Sequence, residues 1–276
     1  MKKKLPNILH LLLSLGKAFL GLLIIYPLLY AFFVSAMKPG ELFNYPPTFL
    51  PSGFHITNYI VMFQTIPIFK FMLNSLIVSA VIVIGQLLLD SMAAYAFAFF
   101  NFQGRKFLFI TVLATTMIPG EATIVANFLN IAKLGLLDTY TALFLPHLVS
   151  AIGIFMLRQH YLTLPKELRE AAIIDGCNSR QFLLKVVTPL SKGSLFSLGI
   201  YEFLFAWNMY LWPLLVTNTP EKRTVQIGIK MLTFTEAPSY AINFAGICMI
   251  ILPSILMFMI GKQYLVEGMT TGAIKG

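Results

Sequence analysis

The chain has 276 residues, 58% of them hydrophobic and 11% charged, and its mean hydropathy is +0.80. A soluble domain carries about 25% charged residues, so this composition excludes a soluble globular protein and places the chain in a lipid bilayer. The net charge of +9 does not point to nucleic acid, because the 20 Lys and Arg are spread between apolar runs and form no single aromatic-interleaved patch.

Lys2, Lys3 and Lys4 precede the first long apolar run, residues 15–37. About 20 apolar residues cross a bilayer as a helix, and this run is too long for a signal-peptide core and has no small-residue cleavage site after it. It reads as a retained first span with the N-terminus inside, kinked at Pro27. Residues 38–70 then carry Pro39, Pro46, Pro47, Pro51, Gly53 and Pro67 among Phe43, Tyr45 and Phe49. No long helix survives that proline density, and the aromatics suit a membrane interface, with a short interfacial helix over 54–63. Three regions follow: an N-terminal segment 1–70, a core 71–265 and a tail 266–276.

The core predicts a second span over 71–98, a third over 107–132, a fourth over 140–157, a fifth over 190–216 and a sixth over 241–261. Pro119-Gly120 should break or end the third, because proline removes a backbone donor and glycine weakens a helix. The expected fold class is therefore all-α, a polytopic membrane protein with six transmembrane helices. Excess positive charge marks the cytoplasmic side. With the N-terminus inside, the inner segments hold Lys2, Lys3, Lys4, Arg105, Lys106, Arg158, Lys166, Arg169, Arg180, Lys185, Lys192, Lys262 and Lys275. The outer segments hold Lys38, Lys70, Lys133, Lys222, Arg223 and Lys230. Both termini and the polar segment 165–189 are thus expected in the cytoplasm.

That polar segment organises the rest. Pro165 sits where a first helical turn needs no N–H, and 166–174 is rich in helix formers until Gly176 stops it. A second helical run over 178–187 carries Phe182, Leu183 and Val186 on one side and Arg180 and Lys185 on another, ending before Pro189. Two short amphipathic helices joined at a glycine make a compact knob.

A nucleotide-binding P-loop needs Gly-x-x-x-x-Gly-Lys followed by Ser or Thr. Here the Gly-Lys pairs are Gly16-Lys17, followed by Ala18, and Gly261-Lys262, followed by Gln263, so any ATP and magnesium must sit on a partner. His10, His55, His147 and His160 have no metal-ligand spacing, Cys177 and Cys248 offer no disulfide framework, and no Gly-x-Ser-x-Gly elbow occurs. No catalytic, metal or cofactor site is expected on this chain. Charged groups in apolar spans are functional candidates. Asp90, Glu121 and Glu202 qualify, either as substrate or ion contacts or as hydrogen-bond partners of neighbouring helices. Trp207, Asn208, Tyr210 and Trp212 form a group that either stacks on sugar faces or anchors the membrane interface.

Glu170-Ala171-Ala172, then Gly176, then Val186 and Thr188-Pro189 resemble the "EAA loop" of ABC importer permeases, although Thr188 stands where the family pattern has Leu. The likeness extends through Asn74-Ser75, Ala93-Ala94-Tyr95, Phe102-Gln103-Gly104-Arg105, Met117-Ile118-Pro119, Leu134-Gly135-Leu136, Trp207-Asn208 and Glu267-Gly268-Met269. Together these are similar to the carbohydrate-importer branch, which includes the smaller permease subunit of the maltose transporter and glycerol-3-phosphate permeases. The resemblance implies a type I ABC importer permease fold and transport by alternating access. It implies a homologous second permease, two ATPase subunits that carry the ATP and Mg, an extracytoplasmic solute-binding protein and a carbohydrate substrate. Glu170, Ala171, Ala172, Asp175, Gly176, Phe182 and Pro189 would couple to the ATPase, Thr271, Gly272 and Lys275 would form a tail contact with it, and Glu121, Glu202, Trp207, Asn208 and Tyr210 would lie on the substrate pathway. The competing readings are an ion-coupled secondary transporter using Asp90, Glu121 and Glu202, a membrane scaffold, and an importer permease for a non-carbohydrate solute.

Overall fold

The computed structural model describes residues 7–46, 48–233 and 240–271, with side chains described between residues 12 and 262. Every regular element among them is helical. The α-helices run as α1 (Asn7–Ser35), α2 (Thr57–Thr65), α3 (Ile68–Phe99), α4 (Arg105–Ala114), α5 (Gly120–Lys133), α6 (Tyr140–Phe144) and α7 (Ala151–Tyr161). They continue as α8 (Lys166–Ile174), α9 (Ser179–Phe182), α10 (Thr188–Leu190), α11 (Lys192–Trp207), α12 (Leu211–Val216), α13 (Val225–Thr233) and α14 (Tyr240–Thr271). The chain divides into two compact units, Met1–Ile68 with Gly228–Leu252 and Phe69–Ile227 with Pro253–Gly276.

In the first unit, α1 is apolar on all sides and leaves Leu22 at 64% and Ile24 at 73% exposed. A helix with no polar face and bare aliphatic side chains needs lipid around it. The proline-rich stretch after α1 is folded. Asn58 of α2 is buried and its Nδ2 donates to the carbonyls of Ser35 (2.9 Å) and Met37 (2.7 Å), closing the chain as it leaves α1. The Glu41 carboxylate accepts from the backbone N–H groups of Lys38 (2.8 Å) and Ser52 (2.6 Å), and the Lys38 bond above all holds its pKa below the usual carboxylate range. A short helix expected over 54–63 is present as α2, over Thr57–Thr65.

Three helical stretches are unbroken and apolar enough to cross a membrane: 12–35 of α1, α3, and 240–262 of α14. The expected third and fourth spans are bent pairs. Residues 105–117 and 120–133 meet at 99°, because Ile118 and Pro119 leave the helical region before α5 restarts at Gly120. Residues 140–147 and 151–161 meet at 46°. The break expected at Pro119-Gly120 is therefore present, and the continuous span predicted over 140–157 is corrected to a broken one. The fifth, predicted over 190–216, is a 16-residue α11, a break at 208–210 and the six-residue α12. Pro213 has no N–H to bond the carbonyl four residues back and its ring crowds that turn, which places the break just upstream. Counting each bent pair as one gives up to five spans among the described residues.

The second unit has two apolar clusters along α3. Val78 and Ile82 pack with Ile131, Ala142, Leu143, Ala206, Trp212 and Val216. Ala94 and Tyr95 pack with Leu157, Tyr161, Ala172, Phe182, Val187 and Leu198. Between the two, α3 presents Gln86 and Asp90, both buried.

Candidate functional site

The knob is built from α8 and α9. Helix α8 covers the residues expected of it, 166–174. Its stop is a paired turn in which the Cys177 N–H donates to the Ala172 carbonyl (2.9 Å) and the Gly176 N–H to the Ile173 carbonyl (3.0 Å). That arrangement requires a left-handed residue after the cap. Gly176 supplies it with φ of 75°, and nothing lies within 4 Å of where a Cβ would stand. A side chain there would be opposed by backbone strain alone. Helix α9 starts on a capping box, in which Asn178 Oδ1 accepts from the Gln181 N–H (2.9 Å) and Gln181 Oε1 accepts from the Asn178 N–H (2.9 Å). Each end of the turn thus satisfies its own backbone, so a polar loop holds one shape.

Two side chains fasten the knob. Ala172 and Phe182 are buried, and the Phe182 ring meets Phe99 edge-on (5.6 Å) and Tyr95 tilted (6.2 Å). Glu170, Ala171, Asp175 and Gly176 face outward, as do Ile173 at 63% and Ile174 at 86% exposure. The free surface is therefore an apolar tip flanked by carboxylates. Ile173, Ile174 and the exposed Leu184 were missed in the sequence. Their signal was two adjacent isoleucines immediately before Asp175-Gly176 in an otherwise polar stretch. Past α9 the chain makes a π-helical turn, Leu183–Val187, and continues into α10, with Pro189 exposed within it. The helix does not end before Pro189 as expected. The wider π turn takes up the misfit of a residue that cannot donate, and such turns are frequent at functional sites.

The polar layer behind the knob serves a broken helix. Where α6 and α7 part, two backbone groups lose their helical partners. The Ser150 N–H donates to Asp90 Oδ1 (3.0 Å) and Oδ2 (3.3 Å), and the His147 carbonyl accepts from Gln86 Nε2 (2.9 Å). Asp90 thereby caps the start of α7 from another helix. Gly153 makes room, since a Cβ there would overlap the Asp90 carboxylate. Of the two readings open for Asp90, the structure shows the hydrogen bond to a neighbouring element. Glu202 of α11 is buried beside Ser150 and Gln86, and its Oε1 has no hydrogen-bond partner among the described residues.

The remaining pathway candidates sit on α5, on α11 and in the break before α12. Glu121 is exposed in the first turn of α5. Trp207 is buried with its ring stacked on Phe203 (5.8 Å), whereas Asn208 is exposed at the end of α11 and donates to the Leu204 carbonyl (2.7 Å). Tyr210 is half-buried in the break, and the Trp212 indole donates to the Ala142 carbonyl (3.0 Å). Thr271 ends α14 with its side chain outside the described residues, and Gly272 and Lys275 lie outside them altogether.

At the opposite end of the same unit, Asp138 adopts φ of 60° and its carboxylate accepts from the N–H groups of Asn218 (2.9 Å) and Thr219 (3.1 Å) and from the Thr219 hydroxyl (2.8 Å). These bonds, the Thr219 N–H first, hold its pKa below the usual range. Asn74 Nδ2 donates to the carbonyls of Glu221 (2.9 Å) and Arg223 (2.8 Å), and the Tyr140 hydroxyl donates to Asn74 Oδ1 (2.7 Å). No three His, Cys, Asp or Glu among the described residues could hold a metal ion together.

Bare apolar helices, interrupted spans with side-chain caps and a self-supporting helical knob define a multi-span membrane protein. The chain belongs to the family of binding-protein-dependent transport system inner membrane components, whose model matches residues 53–265. Over the full length of both proteins it is 38% identical to the arabinooligosaccharide transport system permease protein AraQ of Halalkalibacterium halodurans. It is 32% identical over 94% of each chain to the sn-glycerol-3-phosphate transport system permease protein UgpE of Brucella melitensis, and 33% identical over 94% of each chain to UgpE of Yersinia pestis. Its fold is similar to a chain in the crystal structure of a bacterial ABC transporter involved in the import of the acidic polysaccharide alginate, with a TM-score of 0.82, 23% identity and coverage of 94% of this chain and 96% of that one. The protein is therefore a membrane-embedded permease component of an ABC import system, with the permease fold expected from the sequence.

Proposed function

We propose that this chain imports a carbohydrate, a sugar, an oligosaccharide or a sugar or glycerol phosphate, into the cytoplasm by alternating access, powered by ATP hydrolysed on partner subunits. A homologous second permease completes the pathway, two ATPase subunits with their ATP and Mg dock on the knobs, and an extracytoplasmic binding protein delivers substrate. Both termini lie in the cytoplasm. The substrate class rests on the names of the relatives, an arabinooligosaccharide permease and sn-glycerol-3-phosphate permeases.

The observation that carries the coupling role is the knob: an outward apolar tip of Ile173 and Ile174 between Glu170 and Asp175, fastened from behind by Phe182. A tip that fits an apolar cleft, on a base locked to the spanning helices, passes a push from the partner to α3 and α11. Closing and reopening of the ATPase pair then biases the permease between its two facings. Glu121, Asn208 and Tyr210, which keep accessible surface, are proposed to line the pathway, with Glu202 and Trp207 supporting it from within. The tail from Thr271 through Gly272 to Lys275 is proposed as a second ATPase contact.

The test is made on the complete complex in proteoliposomes, with ATP hydrolysis and uptake measured together. Arabino-oligosaccharides and glycerol 3-phosphate are compared with an amino acid and an inorganic cation as controls. Stimulated hydrolysis and uptake by either of the first two supports the reading, and stimulation only by a control solute overturns it. Gly176→Leu, which forces a side chain into the left-handed region at about 1–2 kcal/mol, should leave hydrolysis running while uptake falls at least several-fold. Undiminished uptake by that variant would remove the knob from the mechanism.

A further inference from the structure

A cleft of about 430 Å³ lies between the ends of α3 and α7 and the flank of α8. Its rim carries Arg105, Lys166 and Arg169, and its wall is apolar, with Phe99, Tyr161, Leu162, Leu164 and Ile173. Glu170 also lines it, yet none of the three cations lies within 4.0 Å of a carboxylate among the described residues, where the ion pair formed is Lys70 with Glu221. The Arg105 guanidinium is fixed rather than neutralised. One of its nitrogens donates to the Phe100 carbonyl (2.8 Å) and to Asn101 Oδ1 (3.1 Å), which aims the group and leaves its other donors available. A fixed cluster of like charges beside an apolar wall is unfavourable when empty and favourable to an anion that also carries an apolar part.

The depth of the cleft indicates what that anion is. Helix α3 has 32 residues and is about 48 Å long, against about 30 Å of hydrocarbon in a bilayer, so its end at Phe99 stands among the headgroups. Leu162 remains 50% exposed at the mouth. Basic pockets between spanning helices at that level bind anionic lipid headgroups. We propose that this cleft is a site for an anionic phospholipid, its phosphate on Arg105, Lys166 and Arg169 and its first acyl carbons along Leu162 and Leu164. Because α8 forms one side, the lipid would brace the base of the knob against the membrane. The site depends on membrane insertion and not on any docking of an ATPase.

The test uses the purified full chain and native mass spectrometry with phosphatidylglycerol and phosphatidylcholine offered together. The wild type should retain phosphatidylglycerol selectively, and the triple variant Arg105→Gln, Lys166→Gln, Arg169→Gln should lose apparent affinity on the order of a hundredfold, from about fivefold for each cation. Arg180→Gln with Lys185→Gln, on the other arm of the knob, should change nothing. If the triple variant does not fold, Lys166→Gln alone, at an exposed position, should still weaken retention about fivefold. Equal binding of the two lipids, or unchanged retention by the variants, overturns the proposal. So does displacement of the lipid by millimolar inorganic phosphate, which would make the cleft a free-anion site. Uptake by the assembled transporter is a separate readout, so loss of lipid selectivity leaves the coupling role of the knob standing.

Discussion

The two ends of the second unit are tied in different ways. At the Asp138 end, loop to loop and loop to helix, the ties are directional hydrogen bonds: Asp138 to residues 218 and 219, Asn74 to the carbonyls of Glu221 and Arg223, and Ser75 Oγ accepting from the Val225 N–H (2.9 Å). At the Glu170 end the tie is mainly apolar, Phe182 against Tyr95 and Phe99 with Ala172 beneath, joined by one hydrogen bond between the Tyr95 and Ser179 side chains. Hydrogen bonds fix both position and angle, whereas ring packing resists separation and leaves rotation freer. For the coupling role proposed above, a joint that passes a push while it turns suits the second kind of tie.

That contrast can be broken from either side. The largest effect is expected at Phe182→Ala, which removes the ring that fastens the knob and should lower stability by about 3–5 kcal/mol, read as a lower unfolding midpoint. A loss below that of Asn74→Ala would mean the knob is not held through this ring. Next comes Asp90→Ala, which leaves the Ser150 N–H buried without a partner at about 1–3 kcal/mol, while Asp90→Asn keeps an acceptor and most of the stability. If Asp90→Asn keeps its fold but abolishes uptake, the carboxylate has a charge-dependent role beyond capping α7. The smallest effect is at Asp138. Its folded pKa is depressed, so its contribution is fully present above the unfolded value of about 3.9 and is lost only as pH falls through the lower folded value. Amide exchange at Asn218 and Thr219 should stay protected from about pH 8 down to about pH 4 and open only as pH falls through the depressed folded value, whereas Asp138→Ala should open it throughout.

Much of the knob was legible because its shape is set locally. Pro165, the helix formers after it, Gly176 and the Asn178/Gln181 pair each act within a few residues, so the start, stop and restart could be read in order. The direction in which Phe182 points was not legible, because its partners lie over eighty residues earlier. Nor was the continuation through Pro189, where a π turn absorbs the missing donor. The broken spans were half legible: Pro119 announced one break, but the break at 148–150 was hidden in an apolar run.

The sequence by itself determined that this protein lives in a bilayer, crosses it repeatedly as helices and carries a two-helix polar knob, since hydropathy, charge placement and capping residues all act at short range. Only the tertiary structure decided that Asp90 and Gln86 serve the backbone of α6 and α7, that Phe182 holds the knob and that three cations gather at its base. Those pairings join residues tens of positions apart, and they exist only because bent helices bring an unpaired N–H, a ring edge or a guanidinium to a distance that no local pattern encodes.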